Sequence, residues 1–216
     1  FKILKSLWKA NRIISQFKPD VTVGVGGYAS APVVFISSFR GKPTLIQEQN
    51  SYAGITNKIL GKRAKKICVA YENMNRFFPE KKIILTGNPV RKDLKEISLS
   101  REDALAFFNL KKELKTILVI GGSLGSRTLN ESVKLHLKEI KQQEIQLIWQ
   151  TGKNYFEGCK QPASDYKERI KVFDFIQRMD CAYAAADIVI SRAGALSISE
   201  ICVVKKPSVL VPSPNV

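Results

Sequence analysis

The sequence predicts an α/β chain made of two parallel-sheet domains, and three observations carry that prediction. Short apolar runs alternate with helical patterns along the whole length, the signature of βα units packed into parallel sheets. The alternation restarts near residue 90, just after the turn signal Gly87-Asn88-Pro89. Three of the strand-like runs lead straight into turns of glycine and other small residues that open a helix, as in sheets that bind ligands at the carboxyl ends of their strands. The boundaries that follow are 1–90 for the first domain and 91–216 for the second.

Taken in order, residues 1–17 form an amphipathic helix and residues 21–25 the first strand, with a helix near residues 32–39. Residues 44–46, 67–70 and 83–85 read as short strands, with a helix over 55–64. In the second domain Ser100 followed by Asp103 resembles a capping box opening a helix over 101–108. Residues 116–120 form a buried strand followed by a helix over 127–141. Residues 146–149, 170–173, 188–190 and 208–211 read as strands, and 178–185 and 196–203 as helices.

Composition narrows the class. The chain of 216 residues is 44% hydrophobic, enough to bury a core and unlike a disordered segment. No apolar run approaches the ~18 residues of a membrane span, and the first residues lack the apolar stretch of a signal peptide. Phe1 in place of Met, and an abrupt end at Val216, suggest truncation at both ends. Cys68, Cys159, Cys181 and Cys202 show no CxxC spacing, so they read as reduced thiols rather than a zinc or redox site. His136, the single histidine, falls inside a predicted helix with no ligand set around it. The net charge is +16, and residues 1–90 carry 15 Lys and Arg against 4 Asp and Glu. A half so basic implies an anionic surface or substrate, or else solvated lysines of no special role.

Ile3, Leu4, Leu7 and Trp8 form an apolar cluster at the start of the first helix, interleaved with Lys2, Lys5 and Lys9. Ile13, Ile14 and Phe17 are free to pack on the sheet. The cluster suits an interfacial membrane contact or burial against other parts of the chain. The turn Gly121-Gly122-Ser123-Leu124-Gly125-Ser126 joins a strand to a helix. Glycine lets backbone approach a ligand closely, and the free N–H groups and dipole of a helix start favour phosphate. It reads neither as a Walker A loop nor as GxGxxG. A similar turn, Gly24-Val25-Gly26-Gly27-Tyr28-Ala29-Ser30, follows the first strand. A third, Ser191-Arg192-Ala193-Gly194, precedes the helix that carries Glu200, whose carboxylate suits ribose hydroxyls or plain solvation.

Together these segments resemble the MurG family, the bacterial UDP-N-acetylglucosamine:lipid I N-acetylglucosaminyltransferases of glycosyltransferase family 28. The residues that carry the likeness are those of 24–32, Gln47-Glu48-Gln49-Asn50 with Ala53-Gly54-Ile55-Thr56-Asn57, Gly87-Asn88-Pro89-Val90-Arg91, the residues of 121–130, Gln150-Thr151-Gly152-Lys153, Phe175-Ile176 and the residues of 194–200. The resemblance implies a GT-B fold, two Rossmann-like domains facing across a cleft, the first of them incomplete here. It implies an inverting transfer of GlcNAc from UDP-GlcNAc to lipid I, giving lipid II for peptidoglycan, with no metal and no cofactor. It places Asn50, Arg91, Ser123, Ile176, Ala195, Leu196, Ser197, Ile198, Ser199 and Glu200 at the donor: Ser123 by the diphosphate, Ile176 at uracil through its backbone and Glu200 on the ribose. The turn Gly26, Gly27, Tyr28, Ala29, Ser30 would face the acceptor diphosphate. Ile3, Leu4, Leu7 and Trp8 would rest on an anionic membrane, putting the protein peripherally on the cytoplasmic face of the inner membrane. Gln47 stands where the family has histidine, and the family's candidate base falls before residue 1, so the catalytic residue is unassigned.

Two other functions compete. Another GT-B enzyme using a UDP-sugar and a lipid acceptor would share the glycine turns and the basic helix. A nucleic-acid-binding module would need a Lys/Arg stripe with stacking aromatics, whereas the basic residues here are scattered over βα units, and no nucleic-acid partner is expected.

Overall fold

The apolar runs become the strands of two parallel sheets. In the computed structural model, which describes residues 2–213, the chain divides into two units, residues 1–89 and 90–216.

The first unit holds α1 (Lys2–Phe17), β1 (Thr22–Gly24), α2 (Ser30–Phe39), β2 (Thr44–Glu48), α3 (Ile55–Gly61), β3 (Lys66–Val69) and β4 (Ile83–Leu85). The strands lie in the order β1-β2-β3-β4, every pair parallel. Val34 of α2 and Leu60 of α3 pack with Ile46, Ile67, Met74 and Phe78 to form the core. Each such side chain contributes roughly 1.5–3 kcal/mol when fully buried.

α1 departs from expectation. Only Ala10 and Ile14 are buried, and the helix lies on α2, with Arg40 Nε donating to Asn11 Oδ1 at 2.8 Å. Ile13 and Phe17, expected on the sheet, are exposed. The turn of α1 toward α2 leaves them outside the contact.

The second unit holds α4 (Arg101–Phe107), β5 (Lys115–Ile120), α5 (Arg127–Leu135), α6 (Leu137–Gln142), β6 (Ile145–Gln150), α7 (Phe156–Ala163), β7 (Ile170–Phe173), α8 (Met179–Ala185), β8 (Ile188–Arg192), α9 (Ala195–Val204) and β9 (Ser208–Val211). Its sheet runs β7-β6-β5-β8-β9, again all parallel. One face of the sheet packs on α4 and α8 around Leu105, Leu118 and Tyr183. The other packs around Leu129, Trp149 and Cys159. Ser100 caps α4 by accepting from Asp103 N, as its sequence signature implies.

Two helices differ from the sequence reading. The single helix expected over 127–141 is broken at His136, whose φ is −112°. There the ring Nδ1 contacts Ser132 O at 2.7 Å, and the backbone N–H donates to Val133 O, a tighter i−3 bond that interrupts the ladder. α7 was not foreseen, because Gly158 and Pro162 obscure its pattern and its buried residues are only Cys159 and Ala163.

Candidate functional site

The strand order of the second unit fixes where a ligand can sit. From β5 the chain runs outward through β6 and β7 on one side, then returns to place β8 and β9 on the other. The loops leaving β5 and β8 therefore diverge, opening a crevice at the carboxyl ends of those two strands, where open α/β sheets take their ligands. A cavity of about 700 Å³ lies there, lined by Gly121, Ser126, Arg127, Tyr155, Arg192 and Gly194 among others.

The glycine turn is shaped by close backbone contact. Gly125 has φ +83°, and a Cβ on it would sit 2.1 Å from Thr151 O. Only glycine meets both conditions. Ser126 caps α5, its Oγ accepting from Leu129 N. The same Oγ accepts from Arg192 Nε at 2.7 Å, and Arg192 Nη1 donates to Pro212 O at 2.5 Å. One guanidinium thus joins the turn after β5, the end of β8 and the residues after β9. The sequence alone marks Arg192 and Ser126 only as members of their turns, with no role of their own. The signal available was an arginine closing an apolar strand just before a small-residue helix start. Ser123 is exposed at the tip of the turn.

Gln150, at the end of β6, links this turn to the next group. Its Nε2 donates to Gly122 O at 3.3 Å, while its Oε1 accepts from Ile176 N at 2.8 Å. Ile176 is buried and its N–H is committed to Gln150. Next to it, Gln177 O accepts from Arg91 Nη2 at 3.3 Å, and Arg91 pairs with Asp93. Asp93 is the main cause of a raised Arg91 pKa, and Glu200 adds to it. Glu200 Oε2 accepts from the hydroxyl of Tyr183, itself fully buried, at 3.2 Å. Burial pushes the Glu200 carboxyl above the usual carboxylate range, while Tyr183 and Arg91 pull it back. Arg91 thus meets the residue after Ile176, and Glu200 lies close enough for its charge to act on Arg91.

The stretch from Ala195 to Glu200 is more than one turn of α9, so its six side chains point round the whole helix axis. Ser199 Oγ donates to Ala195 O at 2.9 Å. Gly194, just before the helix, lines the cavity. Leu196 is exposed, and Ser197 and Ile198 are half-buried.

The first unit carries its own cavity, about 270 Å³, between the turn after β1 and the start of α3. Gly26, Gly27 and Tyr28 line one side. Ser30 Oγ donates to Gly26 O at 2.9 Å, holding the turn against α2. Glu48 is the buried organiser opposite. Its carboxylate accepts from Asn50 N at 3.0 Å, Gly54 N at 3.0 Å and Asn57 Nδ2 at 2.9 Å. Asn57 Oδ1 is buried with no hydrogen-bond partner among the described residues, a costly state for a polar atom. Asn50 lines this cavity. Gln47 Nε2 donates to Gly87 O at 3.1 Å, fastening the end of β2 to the turn after β4. Among the described residues no group of three His, Cys, Asp or Glu could hold a metal ion.

Two parallel sheets, the second with a crevice at a strand-order reversal, are those of a GT-B type α/β protein. Comparison with known proteins agrees. Residues 1–69 match the glycosyltransferase family 28 N-terminal domain and residues 116–216 the family 28 C-terminal domain. The chain belongs to glycosyltransferase family 28. It is 56% identical over 216 residues to a Parabacteroides distasonis protein named UDP-N-acetylglucosamine--N-acetylmuramyl-(pentapeptide) pyrophosphoryl-undecaprenol N-acetylglucosamine transferase, covering all of this chain and 59% of that one. A Cytophaga hutchinsonii protein of the same name is 56% identical over 215 residues, with 100% and 58% covered. The chain thus spans well under two thirds of these relatives' length. Among solved structures, MurG of Acinetobacter baumannii superposes with a TM-score of 0.67 at 34% identity, over 100% of this chain and 59% of that one. A Neisseria meningitidis UDP-GlcNAc 2-epimerase, bound to UDP-GlcNAc, shares the fold at 14% identity, with a TM-score of 0.66 over 96% of this chain and 63% of that one.

Proposed function

We propose that this chain is part of an inverting glycosyltransferase that moves GlcNAc from UDP-GlcNAc to lipid I, producing lipid II for peptidoglycan. The observation that supports it most is the crevice at the β5/β8 divergence, whose glycine turn is held by Gln150 and Arg192. In this reading the turn around Ser123 and the start of α5 receive the diphosphate, and Arg192 keeps that turn in place. The Ile176 carbonyl meets the uracil, Glu200 accepts from the ribose hydroxyls, and the start of α9 lies along the sugar. As the acceptor oxygen attacks the anomeric carbon, the bond to UDP breaks and negative charge gathers on the leaving diphosphate. Fixed N–H donors and the Arg91 guanidinium stabilise that charge without reorganising. None of the residues given roles here takes the acceptor's proton.

The acceptor diphosphate is assigned to the turn Gly26, Gly27, Tyr28, Ala29, Ser30, and Asn50, which lines the cavity beside that turn, is assigned to the donor. Ile3, Leu4, Leu7 and Trp8 would dock on an anionic membrane, three of them exposed and Leu7 half-buried, with Lys2, Lys5 and Lys9 interleaved. No helix among the described residues is long and apolar enough to cross a membrane, and peripheral attachment at the cytoplasmic face fits the reading. Donor competition tests it. UDP-GlcNAc should protect the full-length protein from thermal unfolding and UDP-galactose should not. Equal protection by both would favour another UDP-sugar transferase acting on a lipid acceptor.

A further inference from the structure

Arg91, the second residue of the second unit, carries a guanidinium with three carboxylates around it. The charge of Asp93 acts on it most strongly, followed by those of Glu200 and Asp180. Among the described residues only Asp93 pairs with it. Asp180 is taken up by Arg178, whose Nε and Nη2 donate to its two oxygens at 2.9 and 2.7 Å. Glu200 accepts from Tyr183. Asp93 meets the side of the Arg91 fork: Nε donates to Oδ1 at 3.1 Å and Nη2 to Oδ2, while Nη2 also donates to Gln177 O at 3.3 Å. The Nη1 group bonds to none of the described residues, and its two N–H donors remain for a ligand.

Asp93 is fixed by the backbone that carries it. It belongs to one turn of 3-10 helix, Lys92–Leu94, and Leu94 is 1% exposed in the core with Leu105 and Tyr183. That turn packs on α8 and α9, the helices of Tyr183 and Glu200. The pair itself is 41% and 42% exposed, and ion pairs so open to water add little to stability. Its effect is on direction. A carboxylate side-on to the planar fork fixes how the other donors point, and Arg91 is otherwise a long, rotatable cation. Without Asp93 the strongest remaining pull comes from Glu200, the carboxylate assigned to the ribose. We propose that Asp93 is a positioning residue, which holds Arg91 side-on so that Nη1 is left for the donor diphosphate and the cation stays off Glu200. A guanidinium already aimed stabilises the charge on the departing UDP without reorganising. This rests on the donor assignment made above and extends it to a residue that touches no ligand.

The test uses the full-length protein and measures UDP binding by calorimetric titration together with the steady-state constants for transfer. Asp93→Ala should weaken UDP binding about tenfold, nearly as much as Arg91→Ala, and the double variant should bind no worse than Arg91→Ala alone. The KM for UDP-GlcNAc should rise and kcat should fall, while the KM for the acceptor stays within about twofold. Asp93→Asn keeps one acceptor oxygen without the charge and should fall between the wild type and Asp93→Ala. The melting temperature should move by less than about 4 °C, as for any exposed pair. UDP affinity of Asp93→Ala within twofold of the wild type, losses that multiply in the double variant, or a loss shared equally by donor and acceptor would each overturn the role of Asp93. A wild-type protein that binds no UDP would overturn the donor reading and this role with it, whereas one that binds UDP but is indifferent to Asp93 overturns this role alone.

Discussion

The bond between Tyr183 and Glu200 offers a sharp test of the donor site, because the two groups lie 17 positions apart and nothing but the fold joins them. The phenol is fully buried and its hydroxyl donates at 3.2 Å to a carboxyl that burial already holds above its usual range. Tyr183→Phe removes the donor and leaves the ring. A hydrogen bond to a charged group is worth about 1.5–3 kcal/mol. Glu200 is only half-buried, so water can replace part of the lost bond and the low end of that range applies. At about 1.4 kcal/mol per decade, UDP-GlcNAc affinity should fall about tenfold. The sign with pH follows from the same bond. Tyr183 favours the ionised carboxylate, so its loss raises the Glu200 pKa further. Donor affinity, which needs the carboxylate as acceptor, falls as pH drops through that pKa, and in Tyr183→Phe the fall should begin at a higher pH than in the wild type. Calorimetric titration of UDP-GlcNAc across acidic to neutral pH reads both effects. A double-mutant cycle with Glu200→Gln separates the pair from other consequences of each change. Additive losses, or a pH profile that Tyr183→Phe leaves in place, would refute the coupling.

Other changes probe the rest of the fold and site. Gly125→Ala would force a Cβ to 2.1 Å from Thr151 O at a φ of +83°, costing roughly 2–5 kcal/mol of strain and overpacking; a melting temperature within a degree of wild type would contradict the close contact of the two loops. Arg192→Ala should weaken UDP-GlcNAc binding tenfold or more by freeing Ser126 and the residues after β9, and Arg192→Lys, which cannot span both partners with a planar fork, should rescue little; full rescue by lysine would reduce the residue to its charge. Leu4→Glu with Trp8→Glu should lower partitioning onto anionic liposomes several-fold and leave UDP-GlcNAc affinity intact; unchanged partitioning would remove α1 from the membrane contact.

Much of this protein was legible before folding was considered. The alternation of apolar runs with helical patterns located the strands, and Ser100 with Asp103 marked the start of α4, because these signals come from neighbours within a few residues. α7 was lost for the same reason inverted: Gly158 and Pro162 break the local pattern, and burial of Cys159 and Ala163 sustains the helix instead. The break at His136 also escaped, since a side chain bonding to Ser132 O leaves no mark in hydrophobic periodicity.

The glycine turns, the basic first half and the residues of the family's motifs were decided by the sequence alone. Which of them meet was decided only by the tertiary structure. The order β7-β6-β5-β8-β9 sets the turn after β5 beside the end of β8, some 70 residues on, and so lets Arg192 reach Ser126. The same folding closes Gln150 onto Gly122 and Ile176, and Tyr183 onto Glu200. Local backbone preference reaches across a turn or two of helix. Contacts between distant segments depend on how crossovers stack strands, and that follows from burying the whole apolar surface at once.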